Sequence, residues 1–170
     1  MSRLDWKTHG RFNTQYETTD IMSTIRGRQQ EVGERIDYYR FSHTDATGDD
    51  LYDEGTGQGK VFSGPFRVPA LHVIHNQGPA HDTTQGLYFV DNLHVTCSFD
   101  ALRKMGFTDQ DIDHGRYLTD RIVYDNSVFR VTSISVLGQI KNRDIIVSLE
   151  CVQMKPDELV NDAQFKHWSQ

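Results

Sequence analysis

The sequence predicts a mainly β chain: a small antiparallel β-barrel with one or two short helices, long polar loops and an extended N-terminal arm. Three observations carry this expectation. From Asp120 to Gln153, Ile122 and Tyr124, then Phe129 and Val131, then Ile145, Val147, Leu149 and Cys151 recur at every second residue, the period that seats one face of a strand on a core. Similar alternation marks Ile36 to Phe41, Phe66 to His75 and Leu87 to Phe99. Helical signals, by contrast, are short and broken by Gly106, Gly115 and the region before Pro156. At 170 residues the chain is long enough for one domain with its own core, without cross-links. We divide it into an arm (1–35), a barrel domain (36–155) with loops at 42–64 and 76–86, and a tail (156–170).

Taken in order, the arm is polar, and Ile21, Met22, Ile25, Gln29 and Val32 form a ragged helical stripe behind a candidate Asp20 cap. Gly27 and Gly33 each weaken such a helix by about 1 kcal/mol relative to Ala, so the arm reads as a segment that orders on another surface. Ile36, Tyr38 and Arg40 oppose Asp37, Tyr39 and Phe41 in an aromatic-rich strand. In the strand from Phe66 to His75, Pro69 places it at an edge or marks a bulge. Asp91-Asn92 reads as a turn or bulge before Leu93, Val95, Cys97 and Phe99, whose opposite face, with His94, Thr96 and Ser98, reads as wet. Ser98 is a candidate cap for a helix through Met105 that Gly106 stops, and Thr108 with Asp111 suits a second one ending near Gly115. These two turns are expected to lie across an open end of the barrel. Asp125-Asn126-Ser127 suits a tight hairpin. Between Gly138 and Asp144 the register is open, and Pro156 suits the first position of a docking helix.

Composition narrows the function classes. The chain holds 24 acidic against 18 basic residues, for a net charge of −6. With a pI near 5.7 and a mean hydropathy of −0.60, it lacks the basic footprint of a protein that grips phosphates. No apolar run approaches the roughly 20 residues that cross a bilayer, and the start has no signal-peptide core, so the expectation is a soluble chain kept inside the cell that makes it, with no membrane partner. Cys97 and Cys151 alternate with apolar residues and read as buried free thiols.

The catalytic inventory is sparse. Eight histidines invite a metal reading, in which His72, His75, His81 and His94 converge as in a metal-binding β-barrel enzyme. His72 and His75 point to opposite faces of a regular strand, however, and structural histidine is the default. The acid-rich and Gly-rich stretch from Ser42 to Gly64 lacks the ligand spacing of a calcium loop, and Gly55 to Lys60 lacks that of a phosphate loop. With no nucleophile elbow, zinc helix or paired-cysteine motif, the sequence assigns no catalytic, cofactor-binding or metal residue.

The succession IDYYRF, LYDEG, GPFRVPALHV, LYFVDNLHVTCSFDALRKMGF and DRIVYDNSVFRVTSISVLGQIKNRDIIVSLECVQMKPDEL resembles the head-to-tail stopper (head completion, or connector) proteins of long-tailed double-stranded DNA bacteriophages, especially those of actinobacterial phages. The resemblance spans roughly Ile36 to Leu159. It implies a non-enzymatic virion protein, assembled in the host cytoplasm as a homo-oligomeric, hexameric ring in the phage neck. Portal or adaptor protein would adjoin it on the head side, and tail terminator or tail tube protein on the tail side. Genomic DNA would pass without sequence-specific binding, retained by loops that project into the channel. Asp45, Asp49, Asp50, Asp53 and Glu54 are the first candidates for that loop, and Asn76 to Gly86 the second. Trp6, Phe12, Phe165 and Trp168 are candidate docking anchors, since exposed aromatics typify interfaces. Another neck or tail component, such as a tail terminator, is the near alternative; the histidine metalloenzyme and a monomeric binding module are the distant ones.

Overall fold

A computed structural model describes residues 14–42, 48–49, 54–55, 60–83, 86–140, 143–159 and 162–168. Six strands close into an antiparallel barrel: β1 (Arg35–Phe41), β4 (Phe62–Asn76), β7 (Asn92–Ser98), β10 (Arg143–Gln153), β9 (Ser127–Ile140) and β8 (Arg121–Tyr124), in that spatial order, with β8 returning to β1. Two short hairpins interrupt the connections. β2 (Gly48–Asp49) pairs with β3 (Glu54–Gly55), and β5 (Ala80–Thr83) with β6 (Gly86–Phe89).

The alternation in the sequence becomes the barrel interior. Ile36, Tyr38, Val68, Ala70, Leu93, Val95, Cys97, Ile122, Phe129, Val131, Val147 and Leu149 are all buried in one cluster. Side chains fill the barrel, as is normal for one of this size. Two short helices, α2 (Phe99–Arg103) and α3 (Asp109–Asp113), followed by a 3-10 turn (Arg116–Thr119), cross one end. Phe99, Leu102 and Phe107 from this stretch complete the same core, so these turns do plug the barrel. We call this the helical end, and the end holding Asn76, Asn92 and Gln153 the far end.

The hairpin from β8 to β9 has a two-residue turn in which Asp125 and Asn126 take φ values of 45° and 61°. Both central residues are left-handed, the geometry that matches strand twist and that Asn and Asp tolerate best. Asn126→Ala should therefore cost about 1 kcal/mol, read from chemical denaturation, while Asn126→Gly should cost nothing.

Pro69 lies in a closed barrel, so it marks no edge; the ladder between β4 and β7 shifts register between Ala70 and His72, which places the bulge beside it. The missing donor is accommodated because Pro69 sits opposite Arg35 at the start of β1, and its carbonyl accepts a hydrogen bond from Gln29 Nε2 at 2.9 Å. Ser98 departs from the wet-face reading. It is buried at the start of α2, forms no side-chain cap, and contacts Gln29 Nε2 at 3.4 Å. Thr108 and Asp111 do form the expected box: Asp111 Oδ2 accepts from both Thr108 N–H and Thr108 Oγ1, each at 2.9 Å.

The arm carries α1 (Thr14–Val32), which begins before Asp20 and ends where Gly33 turns left-handed with φ 68°. Gly33 is thus a helix terminator, not a weak link. Met22 and Ile25 are buried with Ile145, against Leu71, Ile140 and Ile146, so α1 seats on the barrel of its own chain. At the other terminus, α4 (Pro156–Leu159) and a 3-10 turn (Ala163–Trp168) cover the outward face of β1 and β8. There Phe62, Val128, Met154, Leu159 and Phe165 are buried against Tyr39, Phe41 and Val123.

Candidate functional site

The helical end gathers the buried charges. Asp120, just before β8, is 1% exposed and accepts from Tyr38 Oη at 2.6 Å and from the Phe41 N–H at 2.8 Å. Burial pushes its carboxyl up to about 6 against the opposing pull of the Tyr38 hydroxyl, the Phe41 amide, Arg40 and Arg121. Burial, followed by the Asp120 charge, raises the Tyr38 hydroxyl well above its ordinary range. Asp111 differs: burial works against its charge, yet the Thr108 donors, Arg40 and Arg116 hold its carboxyl below its usual value. Arg40 bridges Asp111 at 3.0 Å and donates to the Gly106 carbonyl at 2.8 Å, locking the helical plug to β1.

Arg121 is also buried. It donates to the Thr119 carbonyl at 2.7 Å and stacks its guanidinium 5.4 Å from the Phe62 ring centre. Arg121 Nε and Asp162 Oδ2 are buried atoms without a hydrogen-bond partner among the described residues. The buried Asp120 contacts with Tyr38 and Phe41 fix β1 to the 3-10 turn that Asp120 ends.

At the far end His75 Nε2 lies 2.9 Å from Asp91 Oδ2, with the imidazole edge-on to Phe129. Asp91 Oδ1 accepts from the Gly78 N–H at 3.1 Å, and Gln153 Oε1 accepts from the Asp91 N–H at 3.2 Å. The pair resembles the lower half of a catalytic relay, but its hydrogen bonds go to backbone and root the β5–β6 hairpin. A Cβ on Gly78 would lie 1.6 Å from the Val90 carbonyl oxygen, so only glycine fits this approach.

Among the described residues no three His, Cys, Asp or Glu side chains come together as metal ligands. His72 is exposed, His94 half-buried, and the side chain of His81 lies outside the described residues. Cys97 and Cys151 are free and buried; burial drives the Cys97 thiol up to about 12 and raises that of Cys151 further. Both should resist a thiol reagent at pH 8 in the native protein and react at once in denaturant, as counted spectrophotometrically.

Of the candidate channel residues, Asp45, Asp50 and Asp53 lie outside the described residues, and Asp49 and Glu54 stand in the β2–β3 ladder with side chains not described. The root of that excursion is defined. Ser42 N–H donates to the Val61 carbonyl at 2.9 Å, and the Phe41 and Phe62 rings meet edge-on at 5.6 Å. Trp6 and Phe12 lie outside the described residues, as does the side chain of Trp168. Phe165 corrects an expectation: it is fully buried, edge-on to Tyr39 at 4.9 Å and Phe62 at 5.3 Å, and it anchors the tail to its own barrel instead of offering a surface. The sequence signal was the outward pair Tyr39 and Phe41, two aromatics on the solvent side of a strand that call for a cover.

Among the grooves on the described surface, two differ in charge. One lies between α1, α2 and the β1–β4 ribbon and is lined by Arg26, Arg35, Arg67 and Lys104 against a single acid, Asp100. The other, between α3 and the β9–β10 ribbon, is lined by Asp109, Asp113 and Asp144 around Ile112, Val136 and Leu137. No family model and no curated protein matches the sequence. Among solved structures, the fold is similar to a chain of "Virion of native gene transfer agent (GTA) particle", with a TM-score of 0.39 and 8% identity over 71% of this chain and 94% of that one.

Proposed function

We propose that this chain is a structural protein of a bacteriophage neck: a barrel protomer of a hexameric ring between the portal or adaptor and the tail terminator or tail tube. The ring completes the head, retains packaged DNA and presents the tail attachment surface. One observation carries this reading beside the sequence resemblance. A single strand, β4, spans the barrel and bears a long polar excursion at each end: residues 42–61 enter it at Phe62, and the β5–β6 hairpin leaves it at Asn76. A filled barrel standing in a ring wall thereby extends one excursion from each end, a layout suited to gating and docking.

The first excursion holds Asp45, Asp49, Asp50, Asp53 and Glu54, whose charge repels a DNA backbone and lets it slide. Docking to head and tail neighbours falls to Trp6, Phe12 and Trp168. Negative-stain imaging of the protein, alone and mixed with DNA-filled heads, tests the assignment. Rings with a central channel, or heads that become nuclease-resistant on addition, support it. Deleting residues 45–54 should leave ring assembly intact while heads lose their DNA. Persistent monomers that ignore heads and tails would refute the reading, and rings that cap isolated tail tubes but not heads would favour a tail terminator.

A further inference from the structure

The two grooves are complementary in charge, and they lie on different parts of the molecule. They share no lining residue. In the six-strand cycle the β1–β4 and β9–β10 ribbons are separated by β7 on one side and β8 on the other, and where α2 meets β10 Asp100 of the basic groove holds Arg143, beside Asp144 of the acidic one, at 3.2 Å. In the basic groove, Arg35 and Lys104 are exposed and have no ion-pair partner among the described residues. Arg26 reaches Asp100 only at 3.6 Å, and Arg67 reaches Asp37 at 3.8 Å while 74% exposed. Such pairs are loosely held and free to exchange partners.

In the acidic groove Asp113 has no partner among the described residues, Asp144 accepts from Gln139, and Asp109 holds Arg103 at 3.2 Å. Between these carboxylates Val136 and Leu137 are 40% and 62% exposed, two adjacent aliphatic side chains left in solvent. The basic groove offers apolar floor in turn, through Pro65, Phe66 and Met105. A polar rim around an apolar centre, with opposite charge on the matching surface, is the make-up of a protein–protein contact.

We infer that the occupant of each groove is a second copy of this chain: the acidic groove of one copy seats on the basic groove of the next, with Val136 and Leu137 against Phe66 and Met105. With each groove engaging a different neighbour the contact is head-to-tail, and repetition gives a ring when the rotation closes. The inference rests on the ring reading above for closure and supplies the contact which that reading leaves unassigned.

The test is a charge swap in the full chain, read by sedimentation at low salt. The wild type should associate as concentration rises, and about 1 M salt, with its Debye length near 3 Å, should weaken the association. Arg35→Glu/Lys104→Glu makes both grooves acidic, and Asp113→Lys/Asp144→Lys turns the second one basic. Each variant alone should associate at least about tenfold more weakly than the wild type. Mixed one to one, they should regain association, since neighbouring copies again oppose unlike charges; growth past the dimer, which a two-fold pairing of the same grooves cannot give, marks the contact as head-to-tail. Circular dichroism of each variant excludes misfolding as the cause. Full association by either variant alone, or no recovery on mixing, overturns the contact while wild-type rings in the microscope leave the neck assignment standing. A wild type that stays monomeric overturns the contact too, and the neck assignment is then judged by binding to filled heads.

Discussion

Replacing Asp120 by Ala should cost the fold about 2–4 kcal/mol, because the buried Tyr38 hydroxyl would lose its acceptor, at about 1–3 kcal/mol, and the half-buried Phe41 amide would lose its bond to the carboxylate. The same carboxylate gives stability an uncommon pH dependence. Burial holds its native value at about 6, whereas the unfolded chain titrates near the ordinary value of about 4. Between those values the native state binds the extra proton, so the contribution of Asp120 to stability falls as pH rises through this window and is fully present only below it. Asp111 acts in the opposite direction, since its native value is lowered: its contribution is lost as pH falls below the ordinary carboxylate range. Urea denaturation of the wild type and Asp120→Asn from pH 4 to 7 separates these terms. The wild type should lose stability relative to the Asn variant between pH 4 and 6; parallel curves would show that Asp120 titrates normally.

Phe165→Ala carries the second large effect. The ring is fully buried beneath a face that Tyr39, Phe41 and Phe62 would otherwise expose, and removing such a side chain typically costs about 3–5 kcal/mol. The tail should detach as well, opening the chain beyond Pro156 to a broad-specificity protease such as subtilisin. A loss below about 1 kcal/mol with unchanged cleavage would mean that the tail is an accessory to the fold and not part of it.

Where local chemistry decides conformation, the sequence was readable. The Asp125-Asn126 turn, the Thr108 and Asp111 box and the alternating interior of β7 and β10 each depend on neighbours a few residues away. The register left open between Gly138 and Asp144 is settled by a ladder in which Gly138 sits in β9 opposite Ile146, because the long partner strand takes up the mismatch in bulges around Asp144 and Ile146. The seating of α1 and the burial of Phe165 escaped for a related reason: both are fixed by contacts with strands distant in sequence. The charged grooves were equally hidden, since Lys104 and Arg67 acquire a common surface only when the barrel closes.

That closure has a kinetic consequence. β8, β9 and β10 form consecutive hairpins, but β1 finds β8 only when Tyr38 meets Asp120, 82 positions along the chain. Local pairing is quick and long-loop closure slow, so the meander should zip first and β1 should dock last, in the rate-limiting step. During synthesis the N-terminal half therefore waits for Asp120 to emerge before its own first strand has both partners, and variants at the Tyr38–Asp120 contact are expected to accelerate unfolding more than they slow the first collapse.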